Sequence, residues 1–219
     1  MSDHLWLYLL VVGVLTALTP WAIVGEIVLL GSGIGARGAV AFTVGWFCSV
    51  AVVATVVAAG FSAGSASKQT SRGVYVAEVV LGLGLLALAA RRRARNRATP
   101  PPVGEPRWLE KLDGMGTVVA FAFGTFMVNV FFVVDAGLRI ASADLDASEA
   151  ALALLVYCVL ATGALIAILV VYFADRTASE RRLTAMRSWI ARNNASVVVG
   201  MIAVVGVALV LKGVVGLVA

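Results

Sequence analysis

The stretch Leu15–Phe42, LTALTPWAIVGEIVLLGSGIGARGAVAF, reads as a membrane segment with three features that a simple span lacks. Pro20 has no backbone N–H and its ring clashes with the preceding turn, so it predicts a broken or kinked helix. Glu26 stands six residues on, still among apolar side chains. Gly31, Gly33, Gly35 and Gly38 then make a flexible turn around one positive charge, Arg37. Irregular backbone at membrane depth is tolerated where it is buried in protein or lines a cavity. An ionisable residue there is by default a candidate for function.

Outward from this stretch the whole chain has membrane composition. Of its 219 residues 61% are hydrophobic and 13% charged, with a mean hydropathy of +1.00. So few charges cannot cover a soluble core. Apolar runs of the roughly 20 residues a spanning helix needs recur at about 5–30, 38–60, 73–90, 116–140, 148–173 and 195–217, with ends good to roughly two to four residues. The expected fold is an all-α membrane protein of six transmembrane helices, the first broken at Pro20.

The net charge of +5 does not point to nucleic acid, because the basic residues sit in short loops between apolar runs. Arg37 follows the first segment, Arg91 to Lys111 follow the third, and Arg176 to Arg192 follow the fifth. Together these loops hold 13 of the 17 basic residues. The positive-inside rule puts them in the cytoplasm, with both termini outside the plasma membrane. The opening MSDHLWLYLL lacks a positive n-region and a cleavage site, so no secretory signal is expected.

Thr99–Pro106, TPPPVGEP, reads as a stiff extended linker within 99–114. Three segments precede it in 1–98 and three follow in 115–219. An odd number per half makes the second half enter from the opposite side, so repeated halves are inverted, as in many secondary transporters. Within the second half, residues 178–193 carry Leu183, Met186, Trp189 and Ile190 at helical spacing with arginines opposite. That pattern predicts an amphipathic cytoplasmic helix on the inner leaflet, with a solvated loop as the alternative.

The fourth segment, GTFMVNVFFVVDAGLRI, mirrors the first: Pro20 and Asn129 differ by 109, and so do Glu26 and Asp135. At a rise of about 1.5 Å per residue, Pro20 and Asn129 both fall near the midplane. Inversion then sends Glu26 toward the cytoplasm and Asp135 toward the outside. These four residues are the candidate substrate or coupling-ion site. Each also has a plainer reading. Pro20 could be a simple kink, Glu26 a solvated interfacial acid, Asp135 a partner of Arg139 four residues on, and Asn129 a helix–helix hydrogen bond. Glu78 and Lys212 fall in the outer half and could pair, although Lys212 could equally snorkel to the surface. Thr16, Thr19, Thr43 and Thr125 are candidates to satisfy backbone freed near a break. Gly31, Gly35, Gly45, Gly82, Gly84, Gly200, Gly206 and Gly213 are candidates for close helix approach.

Cys48 and Cys158 lie in apolar runs and read as small packing residues. With His4 the only histidine and no CxxC, no metal site and no cofactor is expected. There is no nucleophile–base pair or phosphate loop, so an enzyme is not expected either.

The pattern TPWAIVGEIVLL…GARGAVAFTVGWFCSV, within residues 19–50, resembles the LysE transporter superfamily. Within it the match is nearest the actinobacterial GAP and sulfolipid-addressing (peptidoglycolipid-addressing) family. The resemblance implies two inverted three-helix halves and movement of peptidoglycolipids or sulfolipids to the cell surface. Related proteins tend to carry Asn-Pro in the fourth helix. Here Val130 follows Asn129, which predicts an unequal pair with Pro20 as the more irregular break. The expected function is a secondary transporter exporting a lipid or glycolipid, with protonation of Glu26 or Asp135 as a candidate coupling step. The alternatives are an exporter of a basic amino acid or cation and a non-transporting subunit of a lipid-export machine. Expected partners are membrane lipids, the lipid or glycolipid cargo, a second copy in a homodimer, or that export machinery, and no nucleic acid.

Overall fold

The structure is a computed structural model that describes residues 2–62, 72–98, 114, 116–143 and 145–218. Among them the chain folds into α1 (Ser2–Ala17), α2 (Pro20–Leu30), α3 (Ala36–Ser62), α4 (Arg72–Ala98) and α5 (Thr117–Phe126). The series continues with α6 (Val130–Ala141), α7 (Ala147–Ala174), α8 (Arg176–Arg192) and α9 (Asn194–Val218). Residues 36–60, 147–174 and 194–211 are each long and apolar enough to cross a membrane. Two bent pairs qualify jointly, α1 with α2 at 48° and α5 with α6 at 62°, giving three to five spans among the described residues. Large apolar side chains remain outward, with Phe126 87% and Val170 61% exposed. Apolar surface on that scale is unsuited to water, and the protein is an all-α membrane protein.

Each expected segment is helical, but 73–90 is not among the candidate spans. The 73–90 segment is the first part of α4, which continues as helix through Arg91, Arg92, Arg93, Arg95 and Arg97 instead of ending against them. Alanine and arginine are strong helix formers, and cations suit a helix C-terminus. The 178–193 stretch is helical within α8, but its apolar residues divide: Leu183 and Ile190 are buried, Met186 and Trp189 exposed. The proline linker, at 99–113, lies outside the described residues. So do the side chains of Glu78 and Lys212, whose pairing the structure leaves open.

Local chemistry explains the turns. Pro20 opens α2 at its first turn, where its missing N–H is harmless. Gly35 adopts φ +58°, a left-handed conformation that favours glycine, and closes the turn from α2 into α3. At the start of α7, the Asp146 carboxylate accepts from the Ser148 and Glu149 amides, each at 2.8 Å, while Glu149 accepts from the Asp146 amide at 3.4 Å. This is a capping box. Its bonds, first that from the Glu149 amide and then that from the Ser148 hydroxyl, hold the Asp146 carboxyl below its ordinary range.

Packing divides the chain into two compact units, each with elements from both sides of the linker. One comprises Met1–Ala66 and Arg107–Arg187, the other Ser67–Pro106 and Ser188–Ala219. In the first, α3 is central and packs on α2, α5, α6 and α7. Lipid tails are as apolar as leucine, so close backbone approach must do much of the work of helix association. A Cβ on Gly124 would fall on the carbonyl of Phe42, and one on Gly45 on the carbonyl of Phe121. The α3–α5 crossing is therefore a reciprocal glycine contact. Gly137 repeats the device on α6, where a Cβ would lie 2.9 Å from the Ala54 carbonyl oxygen. In the second unit α4 meets α9 through Gly82, Gly206 and Gly213, whereas Gly84 and Gly200 face open space.

Gly124→Ala is expected to destabilise the protein by about 1–3 kcal/mol, because the atom it strikes is backbone and cannot rotate away. Gly84→Ala should leave stability unchanged or slightly raised. Thermal unfolding of the two variants in detergent, followed by size-exclusion chromatography, separates these outcomes.

Candidate functional site

The two breaks meet. The Trp21 indole Nε1, one residue past Pro20, donates to the Met127 carbonyl at 2.7 Å. Met127 ends α5 and lies two residues before Asn129, where α6 begins. The structure thus brings the Pro20 and Asn129 regions together inside the first unit. The expected inequality is reversed, since the proline-free break is bent by 62° against 48°. The cause is tertiary: an indole from a distant segment occupies a carbonyl that an unbroken helix would pair with an amide four residues on. Asn129 is the N-cap of α6 by position, and its side chain makes no capping bond.

On the first-half side, hydroxyls replace the missing helical pairing. The Thr16 carbonyl accepts both the Thr19 amide, at 3.2 Å, and the Thr19 hydroxyl, at 2.6 Å. The Thr16 hydroxyl donates to the Val12 carbonyl at 2.7 Å and lies 3.2 Å from the Tyr157 hydroxyl of α7. Thr16, Thr19 and Tyr157 are all buried, so water is not needed to satisfy these groups.

The two acids sit in different surroundings. Glu26 is fully buried, 0% exposed. Its Oε1 accepts from the Thr43 hydroxyl of α3 at 3.0 Å, whereas its Oε2 has no hydrogen-bond partner among the described residues. The adjoining Gly25 faces the rings of Phe42 and Phe123, themselves 5.8 Å apart between centroids. A charge there without a partner is expensive, so Oε2 is suited to a proton or to a donor or cation on a ligand. Asp135 is half-buried on α6 and accepts a hydrogen bond from the Tyr8 hydroxyl of α1. The Arg139 guanidinium lies 4.6 Å from the centroid of the same Tyr8 ring, within cation–π range. Asp135 and Arg139 therefore converge on α1.

Of the expected residues, Pro20 and Asn129 are drawn together at the breaks, while Glu26 and Asp135 each engage a different helix. Thr43 serves the acid and not the backbone; Thr125 donates to the Phe121 carbonyl at 3.1 Å and the Gly45 carbonyl at 3.4 Å. Tyr8, Trp21 and Tyr157 were not among the expected site residues. Their sequence signal is an aromatic with a polar tip inside an apolar run, a group that needs a buried partner. Among the described residues no cluster of three or more His, Cys, Asp or Glu side chains could hold a metal, and Cys48 and Cys158 are free thiols.

Trp21→Phe keeps the ring and removes the N–H, leaving the Met127 carbonyl without its donor. It should cost about 1–2 kcal/mol in thermal unfolding. Wild-type stability in that variant would show that the indole bond does not hold the break.

Comparison with known proteins comes from a family model. No curated protein and no solved structure matches the chain. The family model described as Sap, sulfolipid-1-addressing protein, matches residues 9–215. That match takes in most of the first bent span, all of the second, and all four candidate residues, Pro20, Glu26, Asn129 and Asp135, and the chain belongs to the sulfolipid-1-addressing protein family.

Proposed function

We propose that the protein is a six-span secondary transporter of the plasma membrane that exports a lipid or glycolipid of the cell envelope. Its two halves, 1–98 and 115–219, are inverted three-helix repeats joined by the 99–114 linker, like those of the LysE superfamily. Membership of a family named for addressing a sulfolipid supports the cargo class. The observation that carries the mechanism is Glu26, fully buried on the helix that Pro20 opens, with one oxygen unpartnered among the described residues. A bent span whose partner is also bent, fixed at the centre, suits rocking of one half against the other. Each compact unit draws elements from both halves, as interlocked repeats would. Glu26 then binds a proton or a polar group of the cargo, and Asp135 with Tyr8 ties α1 to α6.

One observation favours a second reading. The free Oε2 of Glu26 fits a cation as well as a proton, so the cargo could be a basic amino acid or metal ion. Flux assays with lysine, arginine and divalent ions beside a lipid panel separate the two.

Glu26→Gln should lower lipid export in reconstituted vesicles by at least about tenfold while the purified variant stays folded. Full export in that variant removes Glu26 from the mechanism. The basic loops place both termini outside. Cysteines introduced at residue 3 and near residue 217 of a Cys48→Ala/Cys158→Ala background should react with an impermeant thiol reagent on intact cells. A cysteine near residue 95 should react only after lysis, and the opposite pattern inverts the topology.

A further inference from the structure

Two cavities in the first unit share a wall at the end of α2. The larger, about 550 Å³, is bounded by the Gly31–Arg37 loop and by Tyr172, Arg176 and Glu180. The smaller, about 290 Å³, is bounded by Ile27, Ala167, Ile168, Val171 and Met186, with Ser179 and Arg182 as its polar members. Leu30, Tyr172 and Leu183 line both. Together they fall in the size range of ligand sites, roughly 300–1,000 Å³.

The chambers differ in chemistry. Arg37 and Arg176 line the larger and Arg182 the smaller. The one carboxylate among these linings, Glu180, lies 3.4 Å from Arg176, so a positive surplus remains. Helices α3 and α8 both begin at the larger chamber, at Ala36 and Arg176, and their N-termini add to its preference for anions. Ser179 is buried and its hydroxyl donates to the Val171 carbonyl at 3.3 Å, so the smaller chamber is lined almost wholly by hydrocarbon.

We propose that this composite groove seats an anionic lipid. Its sulfate- or phosphate-type headgroup lies on Arg37, Arg176 and Arg182, and one acyl chain fills the smaller chamber. A soluble anion would leave the apolar chamber unused, and a zwitterionic lipid would leave the surplus charge unmatched. The inference deepens the lipid reading and rests on it only for the groove's role in loading cargo on the basic side of the membrane.

The test measures binding of a fluorescent phosphatidylglycerol, a phosphatidylcholine with the same chains, and inorganic sulfate to the purified full-length protein in a neutral detergent. Phosphatidylglycerol should bind about tenfold more tightly than phosphatidylcholine, and Arg37→Gln with Arg182→Gln should remove most of that preference. Val171→Trp, which fills the smaller chamber, should weaken both lipids, and Glu180→Gln should tighten phosphatidylglycerol. Arg97→Gln, beside a separate arginine-lined cavity of the second unit, is the charge control and should have no effect. Unchanged binding in the double arginine variant, an equal loss in the Arg97 variant, or sulfate bound as tightly as lipid would each overturn the proposal. Unfolding curves matching wild type confirm that the variants fold. Lipid export with normal binding in the arginine variants sinks the groove and spares the transporter. Groove-dependent binding without any lipid export does the reverse.

Discussion

The hydrogen bond from the Trp21 indole to the Met127 carbonyl is the constraint from which the rest follows. A carbonyl released from a helix inside a bilayer has no water to turn to, and leaving it unpaired costs several kcal/mol by the order of such penalties, roughly 2–7 in apolar surroundings. A break in α5–α6 therefore needs a donor brought to it. Trp21 is held in place because Pro20 starts a new helix there. The second break is thus conditional on the first. Threonine hydroxyls settle the first break locally, and a side chain from the first settles the second.

Around that joint, α3 acts as the fixed post. It carries Gly45 against α5 and offers the Phe42 carbonyl to Gly124, so two backbones touch where side chains would hold them apart. Trp46 of α3 donates to the Ala161 carbonyl of α7 at 3.2 Å, and Thr43 of the same helix reaches Glu26. Glu26 consequently lies fully buried against α3. Asp135 is held farther out on α6, by a half-buried phenol. Full burial of one acid and partial burial of the other follow from which helix each one faces.

Much of this was legible in the sequence. The apolar runs, the break at Pro20, the burial of Glu26 and the turn at Gly35 all follow from local chemistry: a missing N–H, an acid among hydrocarbon, a residue without Cβ. The second break was underestimated for the same reason, since Val130 carries no local signal and the donor lies 106 residues away at Trp21. Gly124 and Gly137 carry no packing signal in the sequence, because a glycine matters for packing only if another backbone arrives opposite it. The continuation of α4 through its arginines accords with helix propensity, although a run of charges after an apolar segment reads equally as a loop. Sequence placed Asp135 near Arg139; only the fold shows both groups meeting Tyr8 of α1.

The 109-residue offset between the two bent spans preserves geometry more faithfully than chemistry. Advancing 109 residues carries Pro20 to Asn129 and Glu26 to Asp135, and both spans bend. The same step carries Thr43 to Leu152, Tyr8 to Thr117 and Trp21 to Val130, so none of the partners is kept. Equivalent acids with non-equivalent partners do not perform equivalent work. The Asp135 carboxylate already accepts from the Tyr8 phenol. The buried Glu26 Oε2, with no partner among the described residues, gains by engaging one. On the proposed transport reading, the step that binds a proton or the cargo therefore falls to Glu26, and Asp135 acts as a latch between α1 and α6. On that same reading the two bent spans supply two similar hinges and one chemical centre.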